Sequence, residues 1–178
     1  MPIPFLVADE IFRSPKRLLP PLQWKEAPSR GIRTPMEQLE CLLEIGGGVP
    51  RSIYFRITAA LRYPNSFTFM LECDRPENRS HVPLYRLEVN PLSAHTNRRQ
   101  GPADISGLYI DKGVTHEHLF YDSHNGQDAI LSVHSCRMAR IISDPPKDFD
   151  SGLRFTCAKI NIQNGDAVPA PRAQGDLL

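Results

Sequence analysis

Residues 53 to 90 alternate apolar and polar side chains in three successive runs, and nothing else in the chain constrains its fold as strongly. In the first run Ile53, Phe55, Ile57, Ala59 and Leu61 alternate with Tyr54, Arg56, Thr58, Ala60 and Arg62. A strand sends successive side chains to opposite faces, so a period of two predicts a strand with one buried face. Tyr63-Pro64-Asn65-Ser66 has the composition of a turn. Phe67, Phe69, Leu71 and Cys73 then alternate with Thr68, Met70 and Glu72. A polar stretch from Asp74 to Ser80 leads to Tyr85, Leu87 and Val89, set against Leu84, Arg86 and Glu88. Three strands joined by short polar turns predict an antiparallel meander, and with it an α+β fold on a sheet of five or more strands.

The flanking segments predict less regular structure. Proline makes up 17 of 178 residues, close to double the usual share of about 5%. Many prolines lie near the ends, which predicts a Pro-rich arm over 1–33, a single domain over 34–164 and a disordered tail over 165–178. A short helix is allowed near 8–13. Thr34-Pro35-Met36-Glu37 has the composition of a helix start, with a hydroxyl cap, proline at the first turn and a returning glutamate. Met36, Leu39, Leu42 and Leu43 continue at helical spacing, and Gly46-Gly47-Gly48 supplies a terminator, so a helix is expected over 35–45. Residues 108–110 and 116–121 read as short strands. Residues 128–142 fit strand or helix. Phe149, Leu153 and Cys157 recur every four residues and point to a helix near 146–158, although Leu153, Phe155 and Cys157 would also fit a strand.

Composition narrows the function classes. A net charge of +1, from 21 basic and 20 acidic residues, lacks the excess of a generic nucleic-acid binder, though a local basic patch is allowed. Cys41, Cys73, Cys136 and Cys157 form no Cys-x-x-Cys pair, which argues against an all-cysteine zinc site. The first residues lack the basic and apolar regions of a signal peptide, and no run reaches the roughly 20 apolar residues of a membrane span. A cytoplasmic location with reduced thiols and no membrane partner is therefore expected.

The site-bearing residues gather between His95 and His124. His116 and His118 would project from one strand face, where imidazole nitrogens are good ligands for a transition metal, and Asp122 has the same parity. His95 comes from the long polar loop that precedes them. His95, His116 and His118 are equally candidates for acid–base catalysis without a metal, with Arg86, Arg98 and Arg99 stabilising phosphate charge and Tyr109 or Tyr121 orienting a nucleotide. Ordinary surface histidines account for the same pattern. With a helix over one sheet face, the other would show Tyr54, Arg56, Arg62, Met70, Leu84 and Arg86, with Glu72 and Glu88 among them, a mixture found at protein interfaces. No P-loop ending, serine elbow or cysteine-nucleophile motif is present.

Arg86-Leu87-Glu88-Val89-Asn90, then His95-Thr96-Asn97, then His116-Glu117-His118 and Tyr121, resemble a family of small uncharacterised bacterial proteins. Those proteins carry an Arg-Leu-acid-x-Asn strand and a later His-x-His-x-x-Tyr; the likeness covers residues 84–121. It implies an α+β bacterial or mobile-element protein and supplies no activity. With no complete catalytic motif, the expected function is an interaction module for a protein or RNA partner (DNA being a further option), from a bacterial mobile-element, phage or defence-related locus. The alternative is a small His-dependent hydrolase or nuclease, with or without a metal. The sequence names no cofactor.

Overall fold

The alternating runs do form neighbouring strands, and the sheet extends well beyond them. The computed structural model describes residues 3–27, 35–50, 52–63, 65–74, 81–123, 130–132 and 134–172. In chain order these carry β1 (Ile3–Pro4), α1 (Phe5–Arg13), β2 (Lys16–Leu18), β3 (Trp24–Ala27), β4 (Met36–Ile45), β5 (Ile53–Ala60), β6 (Phe67–Asp74), β7 (His81–Val89), β8 (His95–Thr96), β9 (Tyr109–Ile110), β10 (His116–Leu119), β11 (Ile130–Leu131), β12 (Ala139–Ile141) and α2 (Phe149–Lys159). An eight-stranded antiparallel sheet runs in the order β12-β10-β7-β6-β5-β4-β2, with β3 also paired to β4. The fold is α+β. No helix among the described residues is long and apolar enough to cross a membrane.

Register gives the sheet two chemically different faces. Leu39, Ile57, Phe69 and Leu87 stand side by side on adjacent strands, and Cys41, Phe55, Leu71 and Tyr85 form the next row. All eight are buried. Both helices lie on this side. The Phe12 ring of α1 meets Tyr85 and Phe120, and Phe149 of α2 meets Phe67 and Phe69. Between the helix ends the Lys16 ammonium donates to the carbonyls of Phe12, Ser14 and Ile160 at 2.7–2.9 Å, which satisfies groups that a helix end leaves unpaired. The opposite face carries one row of Gln38, Thr58, Thr68, Glu88 and His116, and another of Glu40, Arg56, Met70, Arg86 and His118.

Four sequence expectations are corrected. The helix over 35–45 is strand β4. Leu39, Cys41 and Leu43 are buried while Glu40 and Leu42 are more open, a period of two hidden inside apolar spacing that also fits a helix. Seven register pairs with β5, from Met36 to Leu42, decide between the two periods. Thr34, the expected cap, lies outside the described residues. Gly46 and Gly47 close a hairpin instead of a helix: φ is +58° and +79°, and Ile45 and Gly48 exchange both backbone bonds at 2.8 and 3.0 Å.

Leu84 is not on the open face. A bulge opposite Leu71 and Glu72 places Tyr85 across from Leu71 and Pro83 across from Glu72, so Leu84 is the extra residue, and it is buried. The stretch read as an N-terminal arm contributes α1, β2 and β3 to the fold. Residues 165–172, read as tail, also pack: Val168 is buried, the Trp24 indole donates to the Pro169 carbonyl at 2.9 Å, and the Arg172 N–H donates to Glu37 at 2.8 Å. Residues 173–178 lie outside the described part. The open choices resolve to strands β11 and β12 within 128–142 and to helix α2 at 149–159.

Candidate metal centre

The antiparallel register of β7 and β10 sets His116 against Glu88 and His118 against Arg86. Side chains two apart on a strand share a face, so these four residues form one polar cluster at the β10 end of the open face. Beyond Val89 the chain leaves the sheet at Asn90, whose φ is +45°, and folds back as the hairpin β8–β9. This is the polar segment that looked irregular in sequence. One residue docks it: Asn97 is buried, its amide donates to the carbonyls of Ile105 and Ala139 at 2.8 Å, and its Oδ1 accepts from the Ala139 N–H at 2.7 Å. The hairpin thereby carries His95 over His116 and His118.

The three rings converge. Their centroids are 4.9–5.6 Å apart, and one nitrogen of each lies within 4.8 Å of the others. Partners fix which nitrogen faces inward. His95 Nε2 lies 2.9 Å from Asn97 Oδ1 and 3.1 Å from the Arg137 carbonyl, both acceptors, so it is protonated and Nδ1 is free to ligate. His116 Nδ1 donates to the Val114 carbonyl at 2.8 Å. Among the described residues its buried Nε2 has no partner other than Glu88 Oε2, which stands 3.2 Å away. The Arg86 guanidinium meets the edge of the His118 ring, 2.8 Å from Nε2 and 3.3 Å from Nδ1.

Electrostatics favour uncharged rings at two of the three positions. Burial pulls His118 well below the usual imidazole range, and Arg86, His116 and His95 push it the same way. Burial also lowers His95, against the opposing bond to Asn97. Burial would raise the Glu88 carboxyl, yet the His116 bond and the charge of Arg86 outweigh it, leaving Glu88 below its ordinary value. Neutral imidazoles beside an ionised carboxylate are the protonation states a divalent ion requires.

The remaining expected residues are dispersed. Asp122 does not join the histidines, because both its oxygens accept from Arg140 at 2.7 and 2.8 Å. Tyr121 faces the helical side, where its ring meets Phe5 and Phe12 and its hydroxyl donates to Asp9. Arg56 is held by Glu40 and Glu72, each at 2.8 Å, and Tyr54 stands edge-on to His81 beside it. Arg62 is exposed in the turn after β5, and Arg98 and Arg99 are exposed on the hairpin. Sequence reasoning missed Glu88 and Asn97 as site residues. Only strand pairing puts Glu88 beside His116, and only the docked hairpin puts Asn97 behind His95.

The chain matches no family model, no curated protein and no solved structure.

Proposed function

We propose that the protein binds one divalent first-row transition ion, zinc fitting the donor set best, through His95, His116, His118 and Glu88. The observation that carries this reading is His116 Nε2: a buried nitrogen whose partner among the described residues is a carboxylate oxygen, 3.2 Å away. Two ligands about 2.0 Å from a tetrahedral ion lie about 3.3 Å apart, so this spacing is one edge of a zinc tetrahedron. The outward nitrogens of His95 and His116 are held by Asn97 and Val114, the kind of supporting shell that fixes tautomer and ring direction in metal sites. Arg86 occupies the lone pair of His118 and would have to swing aside.

Four protein ligands make a closed centre, whose effect is to clip the β8–β9 hairpin to the sheet. The partner-binding reading of this face has less support, since Arg56 and Arg86 are engaged by neighbouring carboxylates. Elemental analysis of purified protein should find about one metal ion per chain, and a chelator should lower Tm. A His116→Ala/His118→Ala variant should contain no metal and be insensitive to the chelator. Absence of stoichiometric metal after zinc loading would sink the reading. Hydrolysis of an activated phosphodiester that survives Glu88→Ala but not His116→Ala would reassign the centre to catalysis.

A further inference from the structure

Beside Arg137, whose carbonyl His95 meets, lies a cavity of about 500 Å³ lined on one side by Arg98, Gln100 and Gly101 of the hairpin and on the other by Ser132, His134, Arg137 and Met138. Its charge is one-sided. Arg98 and Arg137 line it together with His134, and the Arg137 guanidinium touches His134 Nδ1. Asp122 also lines it, but its carboxylate is held in a two-bond pair by Arg140, which in turn reaches Asp104 at 2.6 Å. Among the described residues, no carboxylate pairs with Arg98 or Arg137. Both His134 and Arg137 are held below their ordinary values, by lost hydration first and then by the cations nearby, Arg137 and Arg98 for the imidazole and Arg98 for the guanidinium.

The walls are fixed in place. The Arg137 N–H donates to Ser123 Oγ at 3.2 Å and its carbonyl accepts from His95, so the root of the side chain is held from both sides. On the hairpin side, Gly101 has φ of +82°, and a Cβ there would come within 2.8 Å of the Asp122 carbonyl oxygen. Only glycine allows the hairpin so close. Ser123 and Ser132 add hydroxyls to the lining. Two guanidiniums with hydroxyl donors in a concave site have the chemistry of an oxyanion receptor, and guanidinium matches phosphate geometry in particular.

We propose that this cavity binds a single phosphate group, with Arg98 and Arg137 as its charged donors. The inference does not depend on the metal, since none of His95, His116 and His118 lines the cavity. The net charge of +1 argues for one phosphate in a pocket over a long polyanion laid across the surface. The group could belong to free phosphate, a mononucleotide or a nucleic-acid strand, and those sources are separable. Calorimetric titration at low salt with inorganic phosphate, adenosine monophosphate and a short single-stranded RNA should show binding of at least one of the first two. Arg98→Glu and Arg137→Ala should each weaken it about tenfold or more, while Arg154→Glu on α2 leaves it unchanged. RNA binding with no response to phosphate or the mononucleotide would overturn the proposal. So would binding that both cavity variants retain at full strength in protein shown to be folded by circular dichroism.

Discussion

His95 Nε2 lies 2.9 Å from Asn97 Oδ1, and the same oxygen accepts the Ala139 N–H at 2.7 Å. One buried amide therefore docks the hairpin on the edge strand and sets the tautomer of the histidine that the hairpin carries. Removing such a partner typically costs 10–100-fold in metal affinity. Asn97→Ala should lower zinc affinity by about tenfold or more in a chelator competition assay. It should also lower stability by about 1–3 kcal/mol, because the Ala139 groups and the Ile105 carbonyl lose their partner. A fall in Tm with zinc affinity unchanged would leave Asn97 a purely structural role.

Arg86 makes the opposite prediction. Its guanidinium sits 2.8 Å from His118 Nε2, competing with a metal for the lone pair and repelling the ion. Arg86→Ala should tighten zinc binding by about threefold or more. Weaker binding in that variant would mean that Arg86 supports the centre.

Asp148 caps α2 by accepting from the Ser151 N–H at 2.8 Å and the Ser151 hydroxyl at 2.5 Å, and those bonds hold its carboxyl below the ordinary value. A carboxyl lowered by folding contributes stability above its unfolded pKa of about 3.9 and loses it as pH falls through the folded value. Asp148→Ala should cost about 1 kcal/mol at pH 7. Asp148→Asn keeps a cap without the charge, so the Tm gap between wild type and this variant should shrink as pH falls below 4.

All four cysteines are free and buried. Burial pushes the thiols of Cys41, Cys73 and Cys157 up to about 12 and raises Cys136 as well. The thiolate is the reactive form, so a thiol reagent at pH 7.5 should label native protein only as fast as it opens, and label all four promptly in denaturant. Fast stoichiometric labelling of the folded chain would contradict this packing.

Gly152 sits inside α2, where alanine normally stabilises a helix by up to about 1 kcal/mol. Here a Cβ would lie 2.7 Å from Phe69 Cε2 and 3.2 Å from Val89 Cγ2. Overpacking against a buried ring costs about 1–3 kcal/mol, so Gly152→Ala should lower Tm. A raised Tm would show that α2 can lift away from the sheet without loss.

Much of this was legible in the sequence, and the limit has a physical origin. Alternation is a local property, so Ile53 to Val89 alone determined three strands, the meander and most of the side chains that face the core, with the bulge at Leu84 the exception. His116-x-His118 likewise placed two imidazoles on one face, since a strand repeats every two residues. Spacing alone could not separate strand from helix at Met36–Ile45, because the apolar residues there satisfy both periods. That choice fell to the open edge of β5, whose backbone groups needed a partner. Nor could spacing bring His95 within reach of two residues more than twenty positions away, tie Asp122 to Arg140, or set Glu88 against His116. Those relations depend on strand register and on where a hairpin docks. Hydrogen bonds between segments distant in the chain decide both, so only the folded molecule shows that three histidines and a glutamate meet.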